Sequence, residues 1–191
     1  MTAAPGVWVT GPSRTGTSMT AGLFVAHGVF FGNTGEGDEF NRKGYFEHPL
    51  LVGAVEGGHV NWPGAWWAQL RAEGWDGKEP WGCKRGPKAW PWTAKLAPAV
   101  IVVTTRPRSQ IEASRKRWGR FSQTRRALTK ARRQLAMIQA ASTIPIVTVN
   151  TDAIVKGDYS RILPAFRLLG IPFNQTLADE WIDPGLWNGG S

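Results

Sequence analysis

The sequence predicts an α/β domain built around a central, mostly parallel sheet. Short apolar runs alternate along the chain with segments whose apolar residues recur at helical spacing. The clearest run, residues 99–105, is continuous and β-branched, which is typical of a central strand buried on both faces. A glycine-rich turn lies between the first apolar run and the first helical segment. We therefore expect one domain that covers residues 1–191.

The first half of the chain supplies the elements around this turn. A buried strand is predicted at residues 5–10, and a helix is predicted at residues 17–28 with Gly28 as its stop. Residues 32–44 are rich in glycine, asparagine and charge, which predicts an exposed loop. The other elements predicted in this half are helices at 47–58 and 63–73 and a short strand at 81–84.

The second half continues the alternation of strands and helices. Helices are predicted at 109–118 and 122–142, and the second has an apolar stripe that includes Leu128 and Leu135. The remaining predicted elements are a strand at 145–149, a helix at 158–169 that is ended by Gly170, and at most one short helix from Asn174 onward.

Composition limits the class of protein. No apolar run reaches the length of a membrane span, and the N-terminus lacks the pattern of a secretory signal, so we expect a cytoplasmic protein with no membrane partner. Cys83 is the single cysteine, which excludes an intrachain disulfide and a zinc site built from cysteines. The formal net charge of +9 predicts anionic partners.

The glycine-rich turn has the frame of a phosphate-binding loop but lacks its lysine. Residues 11–18 are Gly-Pro-Ser-Arg-Thr-Gly-Thr-Ser, against the pattern G-x-x-x-x-G-K-[ST]. Thr17 occupies the lysine position, and the cation is Arg14 inside the loop. Converging backbone N–H groups and the positive end of the next helix still suit a phosphate. This frame predicts a P-loop NTPase-like three-layer sandwich in which ATP or GTP chemistry is disfavoured.

A second anion site is predicted where strand 99–105 ends. Arg106 follows the strand at the sheet edge where open α/β proteins bind ligands. Ser114 falls in the second turn of the next predicted helix and can point back toward Arg106. A guanidinium and a hydroxyl together suit a second phosphate. The alternative is that Arg106 only caps the sheet edge and that Ser114 takes no part in binding.

With these two sites, the chain resembles the sulfotransferases that use 3′-phosphoadenosine 5′-phosphosulfate (PAPS). Their 5′-phosphosulfate loop has the pattern P-[KR]-[ST]-G-[TS]-[TS], from which residues 13–18 depart only at Ser13. Their 3′-phosphate motif is an arginine at a strand end and a serine eight residues later, which is the spacing of Arg106 and Ser114. The resemblance extends over about residues 5–172.

Three shorter segments are similar to bacterial and phage-type members of that family. Residues 41–47 resemble their N-x-x-G-[YFW]-[WF]-E segment, and residues 150–152 occupy the place of a Y-E-D segment after the last strand. Residues 81–84 resemble W-G-x-K-D-P, but Arg85 and Gly86 replace the Asp and Pro. That departure leaves open whether the protein is active.

The resemblance implies transfer of a sulfuryl group from PAPS to an acceptor hydroxyl or amine, without a metal. Arg14 would stabilise the negative charge of the transition state, and Lys84 would touch the sulfonate or a phosphate. The base would be Glu47, matching the glutamate of the resembling segment, followed by His48 and then Glu39 or Glu36. The residues implied to bind PAPS are Ser13, Arg14, Thr15, Gly16, Thr17, Ser18, Arg106 and Ser114.

Two other functions stay open. A nucleoside or nucleotide kinase would need a lysine at position 17 and a magnesium-binding acid at a strand end. A non-catalytic nucleic-acid-binding protein would use the eleven Lys and Arg residues of segment 106–133, which also suit a solvated helix face. The sequence does not identify the acceptor: we expect a small molecule or a glycan, and a lipid or a peptide stays open. The tryptophans of segment 62–92 either pack in the core or form an aromatic wall around the acceptor.

Overall fold

Four parallel strands form the sheet at the centre of the protein in a computed structural model. The strands are β1 (Gly6–Thr10), β2 (Trp81–Lys84), β3 (Val100–Thr105) and β4 (Ile146–Asn150), in the spatial order β2-β1-β3-β4. The structure describes residues 4–39, 41–57, 62–116 and 124–186. The prediction of a mostly parallel central sheet is confirmed, since every strand pair among these residues is parallel.

Helices cover both faces of the sheet. The described α-helices are α1 (Thr17–Ala26), α2 (Pro49–Gly57), α3 (Gly64–Ala72), α4 (Trp90–Thr93), α5 (Arg108–Lys116), α6 (Thr124–Ala141), α7 (Thr151–Val155), α8 (Leu163–Leu169) and α9 (Gln175–Trp181). Short 3₁₀ turns occupy Pro87–Ala89, Ala94–Leu96 and Pro184–Leu186. The apolar residues of α1, α7, α8 and α9 pack on one face. Those of α2, α3 and α6 pack on the other.

Alternating side chains of the central strands build these two cores. In β1, Val7 and Val9 enter the core under α1, whereas Trp8 enters the core under α3. All three side chains are fully buried. This burial on both faces explains why the strand sequences are continuous apolar runs without polar alternation.

The helix bounds match the sequence predictions except near the last strand, and the short helix α4 was not predicted. The chain turns directly from β4 into α7, because Asn150 caps that helix by accepting a hydrogen bond from the Asp152 backbone N–H at 3.0 Å. The sequence analysis did not predict α7. The helix predicted at 158–169 forms only as Leu163–Leu169. Pro164 lies in its first turn, where a residue without an N–H is tolerated, so the helix cannot extend far before it.

Some predicted helix ends and residues lie outside the described part of the chain. They are residues 40, 58, 117–118 and 122–123.

The tryptophan-rich segment packs in the core under α3. Trp62, Trp66 and Trp75 are at most 8% exposed, and Trp66 meets Trp81 edge to face. Trp67 is partly buried and packs against the same cluster. The structure therefore shows the packing role that the sequence analysis weighed against an aromatic wall. None of the described helices is long and apolar enough to cross a membrane.

Trp181 joins the last helix to the first. Its indole N–H donates to the Met19 carbonyl at 2.9 Å, and its ring lies over Gly22 of α1. A Cβ added at Gly22 would lie 1.9 Å from the Trp181 ring, so glycine is required for this close approach. Phe46 and Trp181 also pack in a T-shaped arrangement, with ring centroids 5.8 Å apart.

We predict that Gly22→Ala destabilises the protein by about 1–3 kcal/mol, because the added methyl overpacks the contact between α1 and Trp181. Chemical denaturation followed by tryptophan fluorescence measures this loss. The control is Gly57→Ala, another helical glycine, where an added Cβ meets no atom within 4 Å. This control should be neutral or slightly stabilising. Equal stability of the two variants would contradict the prediction.

Candidate functional site

The site lies at the carboxyl edge of the sheet, where the direction of chain progression reverses. From β1 the chain moves to β2 on one side and then crosses over to β3 on the other. In open α/β sheets, this switch point between neighbouring strands is where ligands bind. The loop 11–16 leaves β1 at this point, and Arg106 follows β3. Both predicted anion sites are therefore brought to one crevice.

A network of threonine hydroxyls fixes the loop 11–16 to β3 and to the start of α7. The Thr15 hydroxyl lies 2.6 Å from the Thr104 hydroxyl of β3 and donates to the Pro12 carbonyl at 2.7 Å. The Thr151 hydroxyl, which follows β4, donates to the Thr15 carbonyl at 2.9 Å. All three threonines are almost fully buried. Gly11 makes this approach possible, since a Cβ there would lie 2.3 Å from the Thr104 hydroxyl.

Arg14 has a backbone conformation that glycine favours. Its φ is 73°, in the left-handed region where a side chain costs free energy. Its guanidinium Nε donates to the Ser114 hydroxyl of α5 at 2.9 Å. The cation of the first loop thus reaches the serine of the second predicted anion site. Gly16, also left-handed, precedes the first residue of α1 and leaves the first-turn N–H groups of that helix without a capping side chain.

Arg106 is buried and oriented from two elements. Its side chain is 3% exposed, and its Nε donates to Gln110 at 2.8 Å and to Asp152 at 3.2 Å. Asp152 lies in the first turn of α7, and Gln110 in the first turn of α5. These two partners hold the guanidinium at the carboxyl edge of β3.

One pocket brings the two anion sites together and encloses about 160 Å³. Its polar wall includes Arg14, Arg106 and Ser114, and its floor is the start of α1. Met19, Phe46 and Trp181 give it an apolar wall. The other lining residues are Gly16, Thr17, Ser18, Asn41, Lys43, Gly44 and Asp183. Lys43 closes one side by donating to the Trp181 carbonyl, with its ammonium 4.7 Å from the centre of that ring.

Lys84, which is buried, and Glu47, which is partly exposed, form an ion pair beside this pocket. The Lys84 ammonium lies 2.9 Å from the Glu47 carboxylate and also donates to the Ser18 hydroxyl at 3.0 Å and the Tyr45 carbonyl at 2.7 Å. Arg85 pairs with the second oxygen of Glu47 and, at 2.5 Å, with Glu56. Arg85, one of the two residues that depart from the W-G-x-K-D-P pattern, is therefore a second cation on the candidate base.

Burial and the neighbouring charges shift the pKa values of Glu47 and Lys84. Burial alone would raise the pKa of Glu47, but Lys84 and Arg85 together hold that pKa below its ordinary value. Burial lowers the pKa of Lys84, and the neighbouring carboxylate opposes part of that shift. Glu47 is consequently a carboxylate at neutral pH. A carboxylate paired with two cations is a weaker proton acceptor than a free one.

His48 lies in a different cavity from the phosphate loop. Its Nδ1 accepts from the Leu50 backbone N–H at 3.1 Å, so the proton is on Nε2, which donates to Glu73 at 3.0 Å. The side chain is almost fully buried. This second cavity is lined by Asn33, Thr34, Gly35, His48, Pro49, Leu50, Gln69 and Glu73. His48 is thus held by structural partners and does not face the pocket of Arg14.

The predicted site residues differ in their position relative to this pocket. Six of the eight residues predicted to bind PAPS line the pocket; they are Arg14, Gly16, Thr17, Ser18, Arg106 and Ser114. Ser13 and Thr15 do not, because Ser13 is exposed on the loop and the Thr15 hydroxyl is turned into the threonine network. Lys84 and Glu47 lie next to the pocket. Glu36 and Glu39 are exposed on the loop before it.

Sequence reasoning missed the residues that close or orient the pocket. Gln110 orients Arg106 from the i+4 position of its own segment, a spacing that could have been noticed. Lys43 and Trp181 meet across 138 residues, and no local pattern predicts such a contact. Within the described ranges, no group of three His, Cys, Asp or Glu residues is arranged to hold a metal ion.

Comparisons with known proteins return no relative. No protein-family model, no curated protein and no solved structure matches the chain.

We predict that Glu47→Gln destabilises the protein by about 2–3 kcal/mol at pH 7, because it leaves the buried Lys84 ammonium without its countercharge. A carboxylate whose pKa is lowered by folding stabilises the fold above its ordinary pKa of 4.5, and this contribution is lost as the pH falls through the lowered value. The deficit of the variant should therefore shrink between pH 7 and pH 3. Urea denaturation at both pH values measures it.

The matched control is Glu56→Gln. This carboxylate also contacts Arg85, but 57% of its side chain is exposed, so its removal should cost less than about 1 kcal/mol. A deficit for Glu47→Gln that is no larger than the control's, or that grows on acidification, would show that the ion pair does not stabilise the fold.

Proposed function

We propose that the protein is a PAPS-dependent sulfotransferase of the P-loop-like type that acts on a small-molecule or glycan acceptor. One observation carries the proposal: Arg14 of the first loop and the pair Arg106 and Ser114 line a single pocket at the switch point of the sheet. Arg14 and Ser114 lie 100 residues apart in the sequence, and only the fold makes them neighbours. A ligand with two separate phosphate groups is what such an arrangement recognises.

The pocket's electrostatics favour such a ligand. Three cationic side chains line it (Arg14, Lys43 and Arg106), against a single carboxylate, Asp183. The first-turn N–H groups of α1 add further donors and the positive end of the helix. The backbone strain at Arg14 supports the same proposal, because strained residues cluster at ligand-binding positions.

The apolar wall fits the remaining part of a nucleotide. Met19, Phe46 and Trp181 present apolar and aromatic surface beside the cations. The enclosed volume is smaller than the roughly 300 Å³ at which small-molecule pockets usually begin. We therefore expect the phosphate groups of the nucleotide to lie inside the pocket and its nucleoside to extend along the open side of the pocket.

The neighbouring side chains suit charge stabilisation more clearly than proton removal. PAPS, when bound, supplies the activated sulfonate and a phosphate leaving group. Arg14 would stabilise the charge that develops at the leaving oxygen, with Lys84 held in place nearby by Ser18 and Glu47. Glu47 stays the candidate base in preference to His48, since its carboxylate shares Lys84 with the phosphate loop and the His48 ring does not face this pocket.

We predict that Arg106→Ala weakens binding of 3′-phosphoadenosine 5′-phosphate (PAP) far more than binding of 5′-AMP, because only PAP carries the 3′-phosphate. The loss of a charge-assisted clamp should be about 2–3 kcal/mol for PAP. Isothermal titration calorimetry with both nucleotides measures the difference. Arg108→Ala is the control, since Arg108 is half exposed and pairs with Glu112 on the surface of α5.

Two results would contradict this proposal. Equal weakening of PAP and AMP by Arg106→Ala would remove the assignment of the 3′-phosphate. Tighter binding of ATP than of PAP by the wild-type protein would favour the kinase alternative.

We predict that Arg14→Gly lowers turnover of PAPS by roughly 10²-fold or more, as for removal of one donor to a developing oxyanion. PAP affinity should fall less than turnover, because the interaction strengthens in the transition state. The thermal midpoint should not fall, because glycine relieves the left-handed strain. Release of PAP and thermal unfolding measure these effects. Arg14→Lys should keep part of the activity, and full turnover in Arg14→Gly would disprove the role.

A further inference from the structure

The exposed face of α6 carries a concentration of positive charge that the pocket does not use. The five cations on this basic face are Arg125, Arg126, Lys130, Arg132 and Arg133, all of them exposed. Leu128, Leu135 and Ile138 point the opposite way and are buried. The helix has no acidic residue anywhere along its 18 residues. Within the described part of the chain, no ion pair includes any of these five side chains.

The placement of these cations works against the stability of the helix. Arg126 and Lys130 are four residues apart, and Lys130 and Arg133 are three apart, so like charges lie one above the other. The last turn, where cations would be favoured, has none. An ordinary solvated face mixes both signs, and this one does not.

Like charges that reduce the stability of a helix are expected where a binding partner compensates for the repulsion. We propose that the basic face of α6 is a docking surface for the phosphate backbone of double-stranded nucleic acid. This partner is separate from the nucleotide of the pocket, so the inference does not depend on the proposed sulfotransferase activity.

Charge density favours a nucleic-acid duplex. Residues 125–133 cover about 12 Å of helix at a rise of about 1.5 Å per residue, which gives one cation for about every 2.4 Å. Duplex DNA carries one negative charge for about every 1.7 Å of its axis. Four of the five cations are arginines, whose planar guanidinium matches two phosphate oxygens at once.

A membrane surface fits less well. A helix that binds membranes inserts an apolar face between the lipids. The apolar stripe of α6 is buried against the sheet instead, and Leu135 and Ile138 belong to the core under α3. Met137, which is exposed, lies beyond the last of the five cations and is a single side chain.

The test measures binding of a duplex of about 20 base pairs by fluorescence anisotropy as a function of salt. With five phosphate contacts, the affinity of the wild-type protein should fall about 500-fold between about 50 mM and about 200 mM salt. A variant with all five cations changed to Gln should bind at least tenfold more weakly at the lower salt concentration and lose most of this salt dependence.

The control variant removes the same number of charges from other exposed positions. Its substitutions to Gln are at Arg71, Lys95, Lys156, Arg161 and Arg167. It should keep the wild-type salt dependence and most of the affinity if binding takes place on α6. Both variants should retain PAP affinity, which separates this test from that of the pocket.

Thermal unfolding tests, without any ligand, whether the five cations reduce the stability of the protein. The α6 variant should have a higher midpoint than the wild-type protein, because it loses the repulsion between like charges on α6. A cooperative transition also shows that the variant folds. Three results would overturn the proposal. They are equal weakening of duplex binding in the two variants, binding of anionic phospholipid vesicles without binding of the duplex, and no measurable duplex binding by the wild-type protein.

Discussion

The site depends on the threonine network that ties the phosphate loop to the sheet. A loop of six residues after β1 cannot hold an arginine at a positive φ unless something fixes the backbone on both sides of it. Thr104 of β3 and Thr151, the first residue of α7, do this by contacting the hydroxyl and the carbonyl of Thr15. Because these groups are buried, any rearrangement of the loop would leave polar atoms without partners in the interior. The strained backbone of Arg14 is therefore maintained by the strand order, which places Thr104 and Thr151 beside the loop.

The strands and most helices could be predicted from the sequence, because each is a local pattern. The apolar run at 99–105 forms a strand that begins one residue later, and the stripe of Leu128 and Leu135 does face the core. Helix α7 could not be predicted in the same way. Its Asn150 cap is also the last residue of a strand, and a five-residue helix has too few positions to show a period.

The candidate site was predictable only in part, because several of its contacts join residues that are far apart in the sequence. Arg14, Arg106 and Ser114 stand in recognisable motifs, and the parallel order of the strands places them at one edge. The contact between Arg14 and Ser114 depends on the strand order, which the sequence does not state. The surroundings of Glu47 depend on Arg85, and the partner of His48 is Glu73, 25 residues away. Whether a polar side chain faces the pocket or is held by a structural partner was decided by such distant neighbours.

The pocket is assembled from residues that begin at Arg14 and end at Asp183. Both ends of the described chain therefore contribute to it, and they are joined by Trp181 where it packs on Gly22 and Met19. Local opening of either end takes the pocket apart, so a bound ligand suppresses partial unfolding in proportion to its concentration. Amide hydrogens in α1 and in α9 should consequently become protected together when the pocket is filled, although the two helices are almost the whole sequence apart.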